Sequence, residues 1–169
     1  MKKILIYGYG NPGRQDDALG VLLTTKMENW SKKHKLNIIQ FDTNYQLNIE
    51  DALLISEYDM VIFADASIEE ISHYTISRVI PNPKAEFSMH AISPEFVLYL
   101  CQKLYNKHPE TYLLHLKGYE FEFLSQLTQK AKNNLEMAFG FLTDVLEQSI
   151  FPVDLIENYI QDKEELKIN

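Results

Sequence analysis

The sequence contains little cysteine and no long apolar run. Cys101 is the only cysteine among the 169 residues, which excludes an intramolecular disulfide and a metal site built from several cysteines of one chain. No apolar stretch approaches the roughly 18 residues of a transmembrane helix, and no small-residue cleavage site follows the early run "ILIYG". From these absences we expect a cytoplasmic protein with no membrane partner.

Positive charge is also scarce. The chain has 16 lysines and arginines against 24 aspartates and glutamates, which gives a formal net charge of -8. This balance disfavours binding to nucleic acid or to an anionic membrane surface. Internal repeats and low-complexity linkers are absent as well, and 46% of the residues are hydrophobic, enough for one core. We therefore expect a single domain without a nucleic-acid partner.

Strand and helix patterns alternate along the chain. Short apolar runs such as "KKILIYG" and "DMVIFADA" predict buried strands, and apolar residues at helical spacing predict the helices between them. This alternation predicts an α/β fold, a three-layer sandwich in which helices cover both faces of a twisted, mostly parallel sheet of about five strands. We expect the domain to span residues 1–150 and a charged C-terminal tail, which could be partly helical, to span residues 151–169.

A glycine-rich loop, "GYGNPG" at residues 8–13, follows the first strand. It fits the G-x-G-x-x-G pattern of dinucleotide-binding loops and lies between a strand and a helix, as that pattern requires. However, Asp16 and Asp17 would place negative charge where a pyrophosphate binds, and Pro12 lacks an N–H. The acid expected about 20 residues later to bind a ribose would be Asp42, 29 residues past position 13. Nucleotide binding is therefore only an alternative.

Polar side chains follow several predicted strands at their carboxyl ends, where α/β sheets bind ligands. Asp17, next to Asp16, follows the first loop, Asp65 ends the third strand, and His90 precedes the helix capped by Ser93. Two carboxylates and an imidazole suit a divalent ion such as Zn, Ni, Co or Mn. Asp17 as a helix-dipole partner and Asp65 as a turn cap are the structural alternatives. The other histidines are interpreted as structural or exposed: His34, His73, His108 and His115.

Five stretches of the sequence, in their order, resemble the hydrogenase maturation proteases over roughly residues 3–148. They are "ILIYGYGNPGRQDDALG", "YQLNIEDA", "DMVIFADAS", "SMHAISPEFVLYL" and "LLHLKGYEF". The most specific parts are the glycine-asparagine loop leading to an acid, the acid that ends the third strand, and the S-x-H triplet at residues 88–90. The resemblance implies a phosphorylase/hydrolase-like fold. It also implies an endopeptidase that removes a C-terminal extension from a nickel–iron hydrogenase large-subunit precursor after nickel insertion.

The resemblance also implies roles for particular residues. The family's metal-contacting acid, second acid and histidine fall on Asp17, Asp65 and His90, which would be the catalytic and metal-contacting residues of an aspartyl-type endopeptidase. Substrate-loop candidates are Gly10, Asn11, Asp16 and Ser88. The nickel would be carried by the substrate and contacted transiently, and no organic cofactor is implied. The partner would be the precursor, and nothing in the sequence indicates an oligomeric state.

Departures from the family pattern keep alternatives open. Residues 11–14, "NPGR", replace more apolar residues, and Leu124-Ser125 stands where related sequences often have Gly-Glu. The same ligands would serve a non-hydrolytic metal-sensing maturation chaperone. "GYGNPG" also resembles the opening of peptidyl-tRNA hydrolases, but "RQDDALG" occupies the region where their catalytic histidine is expected, and the acidic charge is unfavourable for tRNA. The sequence does not decide whether the metal or an acid activates the attacking water.

Overall fold

One five-stranded sheet organises the protein. The computed structural model describes residues 1–84 and 92–168. The strands of this part of the chain lie in the order β2-β1-β3-β5-β4, with every neighbouring pair parallel except β4 and β5. They are β1 (Ile4–Tyr9), β2 (Ile39–Asn44), β3 (Met60–Ser67), β4 (Tyr74–Arg78) and β5 (Glu110–Lys117). The predicted α/β class with a mostly parallel sheet is confirmed.

Helices connect the strands and begin where the sequence supplies capping residues. The helices are α1 (Leu19–His34), α2 (Asp51–Ile55), α3 (Pro94–Tyr105), α4 (Gln129–Gln148) and α5 (Val153–Ile168), with a short 3-10 helix at Gln15–Ala18. Ser93 caps α3 by accepting the Phe96 N–H at 3.3 Å, and Thr128 caps α4 by accepting the Ala131 N–H at 3.2 Å. None of the helices in the described ranges is long and apolar enough to cross a membrane.

The core consists of two layers, one on each face of the sheet. Because side chains alternate along a strand, Ile4 and Ile6 pack with α1, α4 and α5, whereas Leu5 and Tyr7 pack with α2 and α3. The middle strand β3 is apolar on both faces over Met60–Ala64, all of it buried. The sheet is therefore the middle layer between the two sets of helices, and the polar residues of β3 lie at its carboxyl end.

The segment after residue 150, taken from the sequence as a charged tail, contains α5. Ile156 on this helix is fully buried in the core. Glu157 accepts hydrogen bonds from the Tyr112 hydroxyl and from Arg78 Nε, both at 2.8 Å, so α5 is fixed to β5 and to the edge strand β4. The charged residues that gave the segment its tail-like composition are exposed on the second half of the helix.

Candidate active site

The loop after β1 requires glycine because it passes very close to the chain that follows. Gly10 has φ +137°, and a Cβ at this position would lie 2.1 Å from the backbone oxygen of Asp17. A Cβ at Gly20, in the first turn of α1, would lie 2.2 Å from the carbonyl oxygen of Ala64 at the end of β3. Because these two glycines have no Cβ, the 3-10 helix and the start of α1 can pack closely against the carboxyl ends of β1 and β3.

The donors of this loop bind groups within the protein. The Asn11 N–H donates to Asp17 Oδ2 at 2.9 Å, and the Gly13 N–H donates to Asn11 Oδ1 at 2.9 Å. A phosphate cradle needs such N–H groups free and pointing at the anion. The Asp17 carboxylate already accepts the Asn11 N–H, so this donor is not free for a phosphate. The loop therefore orients an acid, which argues against dinucleotide binding.

Asp65 lies at the end of β3, close enough to Asp17 for the two charges to interact. Burial, and after it the negative charge of Asp17, raise the pKa of the Asp65 carboxyl to about 7. The Tyr9 hydroxyl donates a hydrogen bond to Asp65, which lowers the pKa in part. The structure therefore brings the two acids predicted from the sequence together at one sheet edge. Two carboxylates in this arrangement favour a cation between them.

Asp16 has a different environment from its neighbour Asp17. Its side chain is fully buried, and its carboxylate accepts the N–H groups of Tyr119 and Glu120 at 2.8 and 3.2 Å. It also accepts the N–H and the hydroxyl of Thr128 at 2.8 and 2.9 Å. Asp16 thus fixes the loop between β5 and α4 to the loop after β1. The sequence made it a substrate-loop candidate, and the structure shows it as the anchor between two loops.

A row of polar residues crosses the sheet at the level of Asp65. Register pairs Tyr9 with Asn44, Asp65 with His115, and His115 with Thr75, and the pairing of Gly8 with Ala64 places Tyr9 beside Asp65. Paired residues on neighbouring strands have Cβ atoms about 5 Å apart, so Asp65 and His115 lie on the same face of two adjacent strands.

His115, interpreted from the sequence as structural or exposed, lies in this row. It lies on the same sheet face as Leu113, and Asp65 lies on that face with Phe63. Its Nε2 is 3.1 Å from Ser77 Oγ on β4, and burial lowers the pKa of the imidazole, which favours its neutral form. The hydrogen-bond contact of its ring is therefore with the edge strand β4.

The start of α3 borders the same rim. Burial raises the pKa of the Tyr9 hydroxyl well above its usual value, and the charges of Asp65 and then of Glu95 in the first turn of α3 raise it further. The hydrogen bond of Tyr9 to Asp65 connects β1 with β3, and the charge of Glu95 is close enough to affect Tyr9. The candidate site is a crevice at the carboxyl edge, bounded by the loop after β1 and by the first turn of α3.

The fold of this chain is similar to that of several solved structures. No family model matches the sequence, and no curated protein matches it. Similar solved structures include the NiFe hydrogenase maturation protease HycI from Thermococcus kodakarensis, with a TM-score of 0.71, 19% identity and coverage of 86% of this chain and 93% of that chain. The chain has the hydrogenase maturation protease fold.

Two further structures with the maturation protease fold match over similar lengths. The hydrogenase maturating endopeptidase HybD from E. coli gives a TM-score of 0.65 at 19% identity, covering 86% of this chain and 93% of that chain. A hydrogenase 2 maturation peptidase from Thaumarchaeota archaeon SCGC_AB-539-E09 gives 0.63 at 18% identity, covering 88% of this chain and all of the other, 100%. These matches extend over nearly the whole of each similar chain.

Two of the predicted site residues, Ser88 and His90, lie outside the described residues. Their predicted roles stay predictions. Within residues 1–84 and 92–168, no three His, Cys, Asp or Glu side chains are grouped so that they could hold a metal ion. Asp17 and Asp65 are a pair of oxygen donors, and a complete coordination shell would need ligands from elsewhere.

Proposed function

We propose that this protein is an endopeptidase that removes the C-terminal extension of a nickel–iron hydrogenase large-subunit precursor after nickel insertion. The observation that carries the proposal is the pair Asp17 and Asp65 at the carboxyl edge of a sheet with the maturation protease fold. The order of sequence motifs shared with that family is independent support. The similar structures are named as proteases, which favours hydrolysis over metal sensing alone.

The electrostatics of the acid pair support selection of a metal-loaded substrate. Asp17 and Asp65 repel one another, and desolvation adds to the cost of ionising Asp65. A divalent cation between the carboxylates removes this repulsion, because each carboxylate then faces an opposite charge. Nickel belongs to the substrate in this proposal and anchors the neighbouring peptide bond in the crevice. A precursor without nickel lacks that anchor and is bound weakly.

Peptide hydrolysis itself needs a base, an acid and a stabilised oxyanion. A water molecule adds to the carbonyl carbon and gives up a proton, the C–N bond breaks, and the leaving nitrogen gains a proton. Asp65 is the proposed proton acceptor, because its carboxylate lies beside Asp17, where the nickel of the substrate would hold the scissile bond. We propose that the enzyme is an aspartyl-type endopeptidase and that it acts in the cytoplasm.

Single substitutions test the proposal on a nickel-loaded precursor. We expect Asp17→Asn and Asp65→Asn each to slow the shortening of its C-terminus at least 100-fold, because each removes one charge of the pair. His90→Ala, at the third predicted position, is measured alongside them. Asp42→Asn is the matched control, because Asp42 is an exposed acid on β2 and the acid that nucleotide binding would need. We expect it to leave the rate within twofold of the wild type.

Mass spectrometry of the precursor distinguishes the outcomes. Shortening of the nickel-loaded form alone supports the proposal, and equal shortening of the nickel-free form contradicts the selection by metal. Binding without any shortening would identify a metal-sensing chaperone instead. Wild-type rates in both Asp17→Asn and Asp65→Asn would remove the acid pair from the mechanism.

A further inference from the structure

The loop between β5 and α4, residues 118–128, exposes two large apolar side chains beside the candidate site. Leu124 is 97% exposed and Phe123 is 71% exposed. Exposing apolar side chains of this size to water is unfavourable, and neighbouring exposed apolar side chains on one loop are typical of contact surfaces.

The backbone that carries these side chains is held in one conformation. The Leu124 N–H donates to the Gly13 carbonyl oxygen at 2.9 Å, and Leu124 has φ +60°, which is unfavourable for a residue with a branched side chain. The Glu122 N–H donates to Gln15 Oε1 at 3.1 Å, and Gln15 Nε2 donates to Glu120 Oε2 at 2.9 Å. Together with the four hydrogen bonds of Asp16, these contacts prevent the loop from folding its apolar side chains inward.

Arg14 supports the aromatic part of the loop. Its Nε donates to the Phe121 carbonyl oxygen at 3.1 Å. Its guanidinium lies 5.8 Å from the ring centroid of Phe121 and 5.9 Å from that of Phe123, within cation–π range of both rings. The loop after β1 therefore orients Phe123 directly, and Arg14 is three residues from Asp17. Arg14 thus contacts the loop that carries Phe123 and Leu124, and its carbonyl oxygen accepts the N–H of Asp17.

We propose that Phe123 and Leu124 are the docking contact for an apolar surface of the precursor protein next to its metal. This inference rests on the proposed function. Leu124 is hydrogen-bonded to Gly13, in the same loop whose Asn11 N–H binds Asp17, so a macromolecule that delivers a metal to Asp17 comes close to Phe123 and Leu124. Apolar anchors that are already ordered bind with little further entropy loss. The neighbouring Glu120 and Glu122 carboxylates exclude an anionic partner surface such as nucleic acid.

A double substitution tests the docking contact. Phe123→Ser with Leu124→Asn removes both apolar side chains, and Asn tolerates the positive φ at position 124. Neither side chain is part of the core, so the variant should fold, which circular dichroism checks. Leu166→Asn on α5 is the matched control, since Leu166 is 70% exposed. The probe is the nickel-loaded large-subunit precursor, with its Kd, KM and kcat measured for each protein.

We expect the double variant to raise Kd and KM at least tenfold while kcat changes less than twofold, and Leu166→Asn to match the wild type. Wild-type Kd and KM in the double variant would overturn the docking contact and leave the proposed function standing. An equal loss of affinity in Leu166→Asn would also overturn it, because the effect would then not be local. A wild-type protein that neither binds nor shortens the precursor would remove the proposed function and this inference together.

Discussion

The buried carboxyl of Asp65 leads to a prediction about stability that does not depend on any substrate. Its pKa rises from 3.8 to about 7 in the folded protein, so the folded state binds a proton more tightly than the unfolded state. The sign follows from linkage: stability from this group is fully present below pH 3.8 and is lost as the pH rises through about 7. The ionised Asp65 therefore destabilises the protein at alkaline pH.

The size of the effect can be worked out from the two pKa values. Between pH 5 and pH 8 the folded protein holds up to one proton more at Asp65 than the unfolded chain. Integrated over this pH range, the difference is about 2, which corresponds to roughly 2–3 kcal/mol of unfolding free energy lost by the wild type. Asp65→Asn removes the titrating group and keeps an oxygen that accepts the Tyr9 hydroxyl hydrogen bond. Relative to the wild type, the variant should therefore gain roughly 2–3 kcal/mol between pH 5 and pH 8.

Urea denaturation of both proteins at several pH values in metal-free buffer measures this difference. Comparing the variant with the wild type cancels the contributions of other groups, including the imidazole of His115, whose lowered pKa acts in the opposite direction below its usual range. The two stability curves should diverge steadily from pH 5 to pH 8. Parallel curves would refute the reasoning, because they would mean that Asp65 has the same proton affinity in the folded and unfolded states.

Two further substitutions test how the loops are built. Asp16→Ala should lower the free energy of unfolding by about 4 kcal/mol in urea denaturation, because it leaves the hydrogen-bond donors of Tyr119, Glu120 and Thr128 without their acceptor; a loss below about 1 kcal/mol would contradict its anchoring role. Gly10→Ala should cost at least about 2 kcal/mol from strain and overlap with Asp17, whereas Gly140→Ala on α4, where a Cβ meets nothing within 4 Å, should stabilise by about 0.5–1 kcal/mol. Equal thermal shifts in the two glycine variants would refute the close-approach argument.

The fold and the acid pair could be predicted because their signals are local in the sequence. The apolar run at Met60–Ala64 marks a buried strand, and an acid directly after such a run lies at a carboxyl edge. The cap Ser93 and the proline after it mark the start of α3. The order of elements therefore predicts Asp65 and the pair Asp16 and Asp17 at the sheet edge, and the family resemblance selects Asp17 from that pair.

The residues that the sequence could not assign depend on pairing between distant segments. His115 shares a sheet face with Asp65 because β5 pairs with β3 in one particular register, and a shift by one residue would move its side chain to the other face. Asp16 and Asp17 are adjacent acids with the same local sequence signal. They differ because the Asp16 carboxylate meets a loop more than 100 residues later in the chain, a contact that no local pattern contains.

The four hydrogen bonds of Asp16 couple the loop before α4 to the 3-10 helix that carries Asp17. Local opening of that loop must release the 3-10 helix, and the reverse also holds, so the two segments open as one cooperative unit.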